Sequence, residues 1–127
     1  MKEAVGRERA LRHYRHAARL TGLQHYQVMR EAVDATDGGP QDAAEFLSRM
    51  MTGMGDECVV ESVSDSAIRV LQSGLRIVRG LSGATREDLL SCWVELWRGA
   101  VHSQREFLDV RCVIGPDTLE WTIQNTA

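Results

Sequence analysis

Residues 86–108 read REDLLSCWVELWRGAVHSQREFL, and the period of this stretch decides the fold. At 100° per residue, Leu89, Leu90, Trp93, Val94, Leu96, Trp97, Ala100, Val101, Phe107 and Leu108 fall on one face. That pattern predicts one long amphipathic helix from Arg86 to Leu108. Thr85, with Asp88 three residues on, resembles a capping box and marks its start. Gln104 interrupts the apolar face, one turn from Ala100 and two from Trp97. A buried amide left without partners costs about 1–3 kcal/mol, so it must bond backbone, water, another chain or a ligand.

Beyond Asp109 the period changes to two. Val110, Cys112 and Ile114 alternate with Arg111 and Val113; Leu119, Trp121 and Ile123 alternate with Thr118, Glu120 and Thr122. With Gly115-Pro116-Asp117 as the turn, this is a hairpin with one apolar and one polar face. Upstream, Glu57–Ser64 and Ala67–Gln72 read as two strands around Ser64-Asp65-Ser66. Leu75–Leu81 fits either a strand continuation or a short helix.

The N-terminal part is helical. Residues 3–35 predict a long helix with Ala10, Leu11, Tyr14, Ala17, Ala18, His25, Val28, Met29 and Ala32 on one face and Arg12, Arg15 and Arg19 on another. Thr21-Gly22 is a candidate bend, since glycine inside a helix costs about 1 kcal/mol against alanine. After Asp37-Gly38-Gly39, Pro40 suits a first helical position. A second helix over 40–52 turns Ala43, Leu47, Met50 and Met51 inward. The expectation is therefore an α+β domain of two layers. Two hairpins form a four-stranded antiparallel sheet, packed on the long helix, with N-terminal helices added. A single domain spans 1–127, with a helical part over 1–52 and hairpin, helix and hairpin over 56–124.

At 127 residues the chain is long enough to bury a substantial core, and its 43% hydrophobic and 26% charged content is ordinary for a globular protein. No apolar run reaches the roughly 20 residues of a membrane span, and the N-terminus lacks the apolar core of a signal peptide, so a cytoplasmic location is expected. Three cysteines without C-x-x-C spacing argue against both a disulfide framework and a structural zinc site. No metal and no cofactor is expected: phosphate loop, dinucleotide fingerprint, nucleophile elbow and H-E-x-x-H helix are all missing. The net charge of −3 is unevenly spread. In residues 1–20, Lys2, Arg7, Arg9, Arg12, Arg15 and Arg19 oppose only Glu3 and Glu8, which leaves +4 there and −7 elsewhere. Without interleaved aromatic residues the arginine stripe is a poor nucleic-acid platform; it is suited to a solvated face or to a partner's carboxylates.

Four kinds of residue are candidates for chemistry. Gln104 is the polar anchor of an expected pocket between the long helix and the sheet, with Trp93, Trp97 and Trp121 as walls. Cys92 is the candidate nucleophile, given a base or positive dipole to lower its pKa. His25, on the predicted apolar face near Gly22, is the candidate base. Cys112 is expected to point inward opposite or near Trp121, as a small hydrophobe.

The order helix, helix, hairpin, helix, hairpin, with Cys92-Trp93 in the long helix and the closing strand Leu119-Glu120-Trp121-Thr122-Ile123, resembles the 4-vinyl-reductase-type domains. It is also similar to small proteins grouped with L-2-amino-thiazoline-4-carboxylate hydrolase. The likeness covers residues 40–124. It implies binding of small hydrophobic or heterocyclic molecules, often by dimers, with cysteines in or near the pocket. Cys92 is the position that carries across. The cysteine of those families after the first hairpin, and their glycine-aspartate-x-x-cysteine ending, have no counterpart here.

The functional expectation is a small-molecule-binding domain that, if it catalyses, hydrolyses a polar organic or heterocyclic compound through Cys92 or His25. The alternative is a non-catalytic small subunit or dimerisation module. A long, two-faced first helix favours a homo-oligomer or docking on a partner subunit.

Overall fold

The computed structural model describes residues 2–35, 39–103 and 108–126, with residues 2–5 described by backbone alone. Helix α1 spans Lys2–Ala32 and α2 spans Gly39–Gly53. Strands β1 (Glu57–Ser64) and β2 (Ala67–Ser73) follow, then a 3-10 turn at Arg76–Val78. Helix α3 spans Gly83–His102 and precedes β3 (Leu108–Ile114) and β4 (Thr118–Asn125). Each hairpin contributes its second strand to the centre of an antiparallel sheet of order β1-β2-β4-β3. The predicted α+β architecture is thus the one observed.

Alternation in the central strands produces the two faces of the sheet. Ile68, Val70 and Gln72 of β2 and Leu119, Trp121 and Ile123 of β4 are buried, with Val70 directly opposite Trp121. On the other face Arg69 pairs across strands with Glu61 at 3.2 Å and Glu120 at 3.0 Å. The apolar face is covered by two helices rather than one: α2 lies over β1, β2 and β4, and α3 over β3. Helix α1 lies outside them and packs along α3. Phe46 of α2 joins the three helices, with its ring 5.0 Å from Tyr26 and 6.0 Å from Trp97.

Several element boundaries differ from the expectation, each for a local reason. Helix α3 ends at His102, where the Ser103 N–H bonds Ala100 O, and Leu108 opens β3 opposite Asn125 instead of continuing the helix. Leu108 is buried in the sheet, so its position satisfied both periods and the strand ladder decided between them. The helix also begins earlier, with Ser82 as N-cap, and Thr85 sits within its first turn. Asp88 therefore does not close a capping box; its carboxylate accepts from Arg7 of α1. The ambiguous 75–81 segment is the 3-10 turn, which buries Leu75 and Val78, three residues apart.

Helix α1 departs most from its reading. It runs unbroken through Gly22, and its buried or half-buried stripe is Leu11, Arg15, Ala18, Gly22 and Tyr26. Ala10, Tyr14, Ala17, His25 and Val28 are exposed. Gly22 serves close approach, not bending: a Cβ there would collide with the Leu96 carbonyl oxygen and lie 2.8 Å from Ala100 N. Gly99 repays the contact, since a Cβ on it would collide with the Arg19 carbonyl oxygen. Arg7 meets Asp88 and Arg19 meets His102, so the two helices run in the same direction. Their backbones touch at the glycines, which fixes which stripe of α1 faces inward.

Candidate functional site

The glycine contact lies toward the C-terminal half of the α1–α3 pair. Toward the N-terminal half, a groove of about 460 Å³ runs between the two helices. Its walls are Ala10, Leu11 and Tyr14 from α1 and Leu89 and Cys92 from α3, so its surface is almost wholly apolar. Arg7 and Asp88 close one rim, joined by hydrogen bonds of 3.1 and 2.5 Å. Cys92 is half-buried there as a free thiol.

This lining suits binding better than bond breaking. A thiol nucleophile needs a neighbouring base or a strong positive field. The Asp88 carboxylate is engaged by Arg7, and no imidazole is among the described residues that line the groove. His25 is exposed on α1, eleven residues beyond Tyr14 and so about 16 Å farther along the axis. The two residues proposed for catalysis are not brought together. His25 is not on an apolar face because α1 turns the Leu11–Gly22 stripe toward α3 instead.

The tryptophans lie elsewhere. Trp121 is fully buried, and its indole N–H donates to Gln72 Oε1 at 3.0 Å. Trp97 is also buried and meets the half-buried Trp93 edge-on at 5.3 Å. The indole nitrogens of Trp93 and Trp97 have no hydrogen-bond partner among the described residues. Gln104, the expected anchor, lies outside the described residues. Cys112 stands directly opposite Trp121 in the β3–β4 register. Burial pushes its thiol up to about 12, against the opposing pull of Arg98, so it is a neutral thiol at physiological pH.

Sequence reasoning missed the polar chain that does occupy the core. Asp56, which follows α2, is buried and accepts from Gln72 Nε2 at 2.7 Å and from the Arg76 backbone N–H at 2.9 Å. Gln72 in turn accepts from Trp121, so one chain of bonds ties the end of α2 to β2, β4 and the 3-10 turn. The signal was available: Gln72 follows Ile68 and Val70 at period two and had to face inward with them.

A second depression lies between α1, α3 and β3 and measures about 340 Å³. It differs in character from the first, with guanidinium groups of Arg15, Arg98 and Arg111 on its walls. Among the described residues no cluster of three histidine, cysteine or carboxylate side chains is arranged to hold a metal ion, and no helix is long and apolar enough to cross a membrane.

No family model and no curated protein matches the chain. Solved structures do. One comes from work on the function of heme distortion in the H-NOX family; it is 17% identical, with a TM-score of 0.54 over 89% of this chain and 62% of that one. Another is a mutant of the T. Tengcongensis H-NOX, 15% identical with a TM-score of 0.52, covering 89% of this chain and 64% of that one. The chain therefore spans a little under two thirds of either structure's length. At these identities the likeness is one of fold.

Proposed function

We propose that this chain is a non-catalytic module that binds a small apolar molecule in the groove between the N-terminal halves of α1 and α3. The observation that carries the reading is the groove itself. It is large enough for a small organic guest, apolar on its walls, and bordered by an ion pair that satisfies its own charges. The H-NOX likeness supports a binding role over hydrolysis, because one of those relatives was studied for its heme.

Heme itself does not fit the residues present between the helices and the sheet. Phe46, Leu47, Val70, Leu90, Leu119, Trp121 and Ile123 fill that layer and are fully buried. His102 on α3 has its Nδ1 occupied by the Arg19 guanidinium at 2.8 Å.

A second reading, docking on another chain, is favoured by the outward stripe of α1, where Tyr14 and Val28 are 62% and 67% exposed. Both readings share the absence of catalysis, and one variant separates them. Ala10→Trp fills the groove from its exposed side without altering the outward stripe at Val28. The wild type is expected to bind the neutral dye Nile red saturably and to slow alkylation of Cys92 when the dye is bound. Both effects should vanish in Ala10→Trp. Dye binding that survives this substitution, or that leaves Cys92 equally reactive, defeats the groove. A concentration-dependent mass in sedimentation that is lost in Val28→Glu favours docking.

A further inference from the structure

The second groove carries a charge imbalance that its own residues do not resolve. Arg98 is engaged: its Nη1 lies 2.7 Å from Glu95 Oε1 and its Nε donates to Val110 O at 3.0 Å. The other oxygen of Glu95 lies 4.0 Å from Arg19, so that single carboxylate is shared by two guanidinium groups. Arg111 is held by Asp109 at 2.9 Å, which also accepts from Gln124 at 3.3 Å. Arg15 is half-buried on the groove wall, and no described side chain pairs with it. Among the described residues that line the groove, three arginines (Arg15, Arg98 and Arg111) thus stand with one carboxylate, Glu95.

His102 is held below the ordinary histidine range, first by burial and then by Arg19 and Arg98. Asp109 and Glu95 oppose the two arginines there. Arg15 has no counter-charge among the described residues, so an anion entering the groove can pair with it without displacing a protein carboxylate. Val94, Val110, Ile114 and the neutral thiol of Cys112 make the apolar part of the wall, and Ser91 adds a hydroxyl already bonded to the Asp88 carbonyl. Ile114 is 40% exposed there, an apolar side chain turned to solvent at the mouth of a charged groove.

We propose that the groove between α1, α3 and β3 binds a small organic anion, its charged end on Arg15 and Arg98 and its apolar end against Val94 and Ile114. Planar guanidinium forks match a carboxylate or phosphate, and the mixed wall selects an amphipathic ligand over a bare inorganic ion. The site is independent of the apolar groove, which lies on the other side of α1's inward stripe.

The test uses hexanoate as probe, with hexanol and inorganic phosphate as controls, followed by the Nε–H resonances of the arginines on the full chain. Hexanoate is expected to shift Arg15 and Arg98 saturably. Hexanol should not, and phosphate should bind more weakly. Arg15→Gln should weaken hexanoate at least tenfold with its melting temperature unchanged. Ile114→Asp, which places a carboxylate in the mouth without burying it, should weaken it similarly. Ala10→Trp should leave hexanoate binding intact, so failure of the apolar groove and failure of this site give different results. The proposal is overturned if hexanol shifts the same resonances, if Arg15→Gln binds hexanoate as well as the wild type, or if no saturable shift occurs. Phosphate binding tighter than hexanoate would overturn the amphipathic ligand.

Discussion

Helix α2 meets the sheet, and helix α1 meets α3, by opposite means. The first contact is made of large side chains: Phe46, Leu47 and Met51 pack on Val70 and Trp121 with no exposure to solvent, and Asp56–Gln72–Trp121 satisfies the polar groups within. The second is made of backbone at one end, where Gly22 and Gly99 let the helices touch, and of space at the other. A closed interface stabilises. An interface that rests on backbone contact at the glycines leaves grooves beside it, and both described depressions that involve α1 lie along it. Stability and binding are therefore assigned to different helix contacts of the same small fold.

The most direct way to break that contrast is at its pin. Gly22→Ala places a Cβ into the Leu96 carbonyl, and neither partner is a flexible side-chain end, so the helices must separate. Overpacking of this kind costs about 1–3 kcal/mol, and more when backbone must shift; we expect about 3 kcal/mol by chemical denaturation. Gly6→Ala on the same helix meets nothing within 4 Å. It should stabilise by up to about 1 kcal/mol through helix propensity alone. Equal signs for the two substitutions would refute the pin.

The closed contact is tested at Gln72. Gln72→Leu leaves the Trp121 indole and one oxygen of Asp56 without their partners inside the core. An unsatisfied buried group costs about 1–3 kcal/mol, so the loss should be of that order and should shrink when Trp121→Phe is added. A double variant no better than the sum of the singles would mean the three groups act separately.

These residues also show what the sequence could and could not carry. The hairpin over Val110–Ile123 was legible because alternation and turn chemistry agree there. The edge of α3 was not, since Leu108 satisfies a helical and a strand period alike, and only pairing with Asn125 decides. On α1 the apolar residues themselves misled. Tyr14 and Val28 suggested the inward face, whereas a backbone contact through Gly22 selects the stripe containing Arg15 and Arg19. Periodicity counts side chains, and here the deciding group has none. Gly99 offered the missing clue: a glycine in the middle of a tryptophan-bearing helix lowers helix stability and needs a packing reason. Of the groove residues, Cys92 was singled out in the sequence, as a candidate nucleophile, because its type suggests chemistry. Arg7 and Leu89 were not, because a groove made by two separated helices has no local signature.

The mildest expected effect concerns pH, and it acts on the α1–α3 contact. Arg19 donates to His102 Nδ1 at 2.8 Å, which requires a neutral imidazole with its proton on Nε2. Burial, then Arg19 and Arg98, hold the folded-state pKa of His102 below the unfolded value of about 6.5. Above that value both states are neutral and the contact is complete. As pH falls below it the unfolded chain takes up a proton that the folded chain refuses, so stability declines until the folded pKa is passed. His102→Gln removes this dependence while other acid-sensitive groups remain in both proteins. The stability difference, wild type minus variant, should therefore shrink as pH falls below about 6.5 and level off only once the folded-state pKa has been passed. Amide exchange should show where the loss falls, with α1 and the C-terminal turn of α3 opening before β2. A difference that stays flat as pH falls below about 6.5, or an opening that starts in the sheet, would mean that the Arg19–His102 bond does not help to hold the α1–α3 contact.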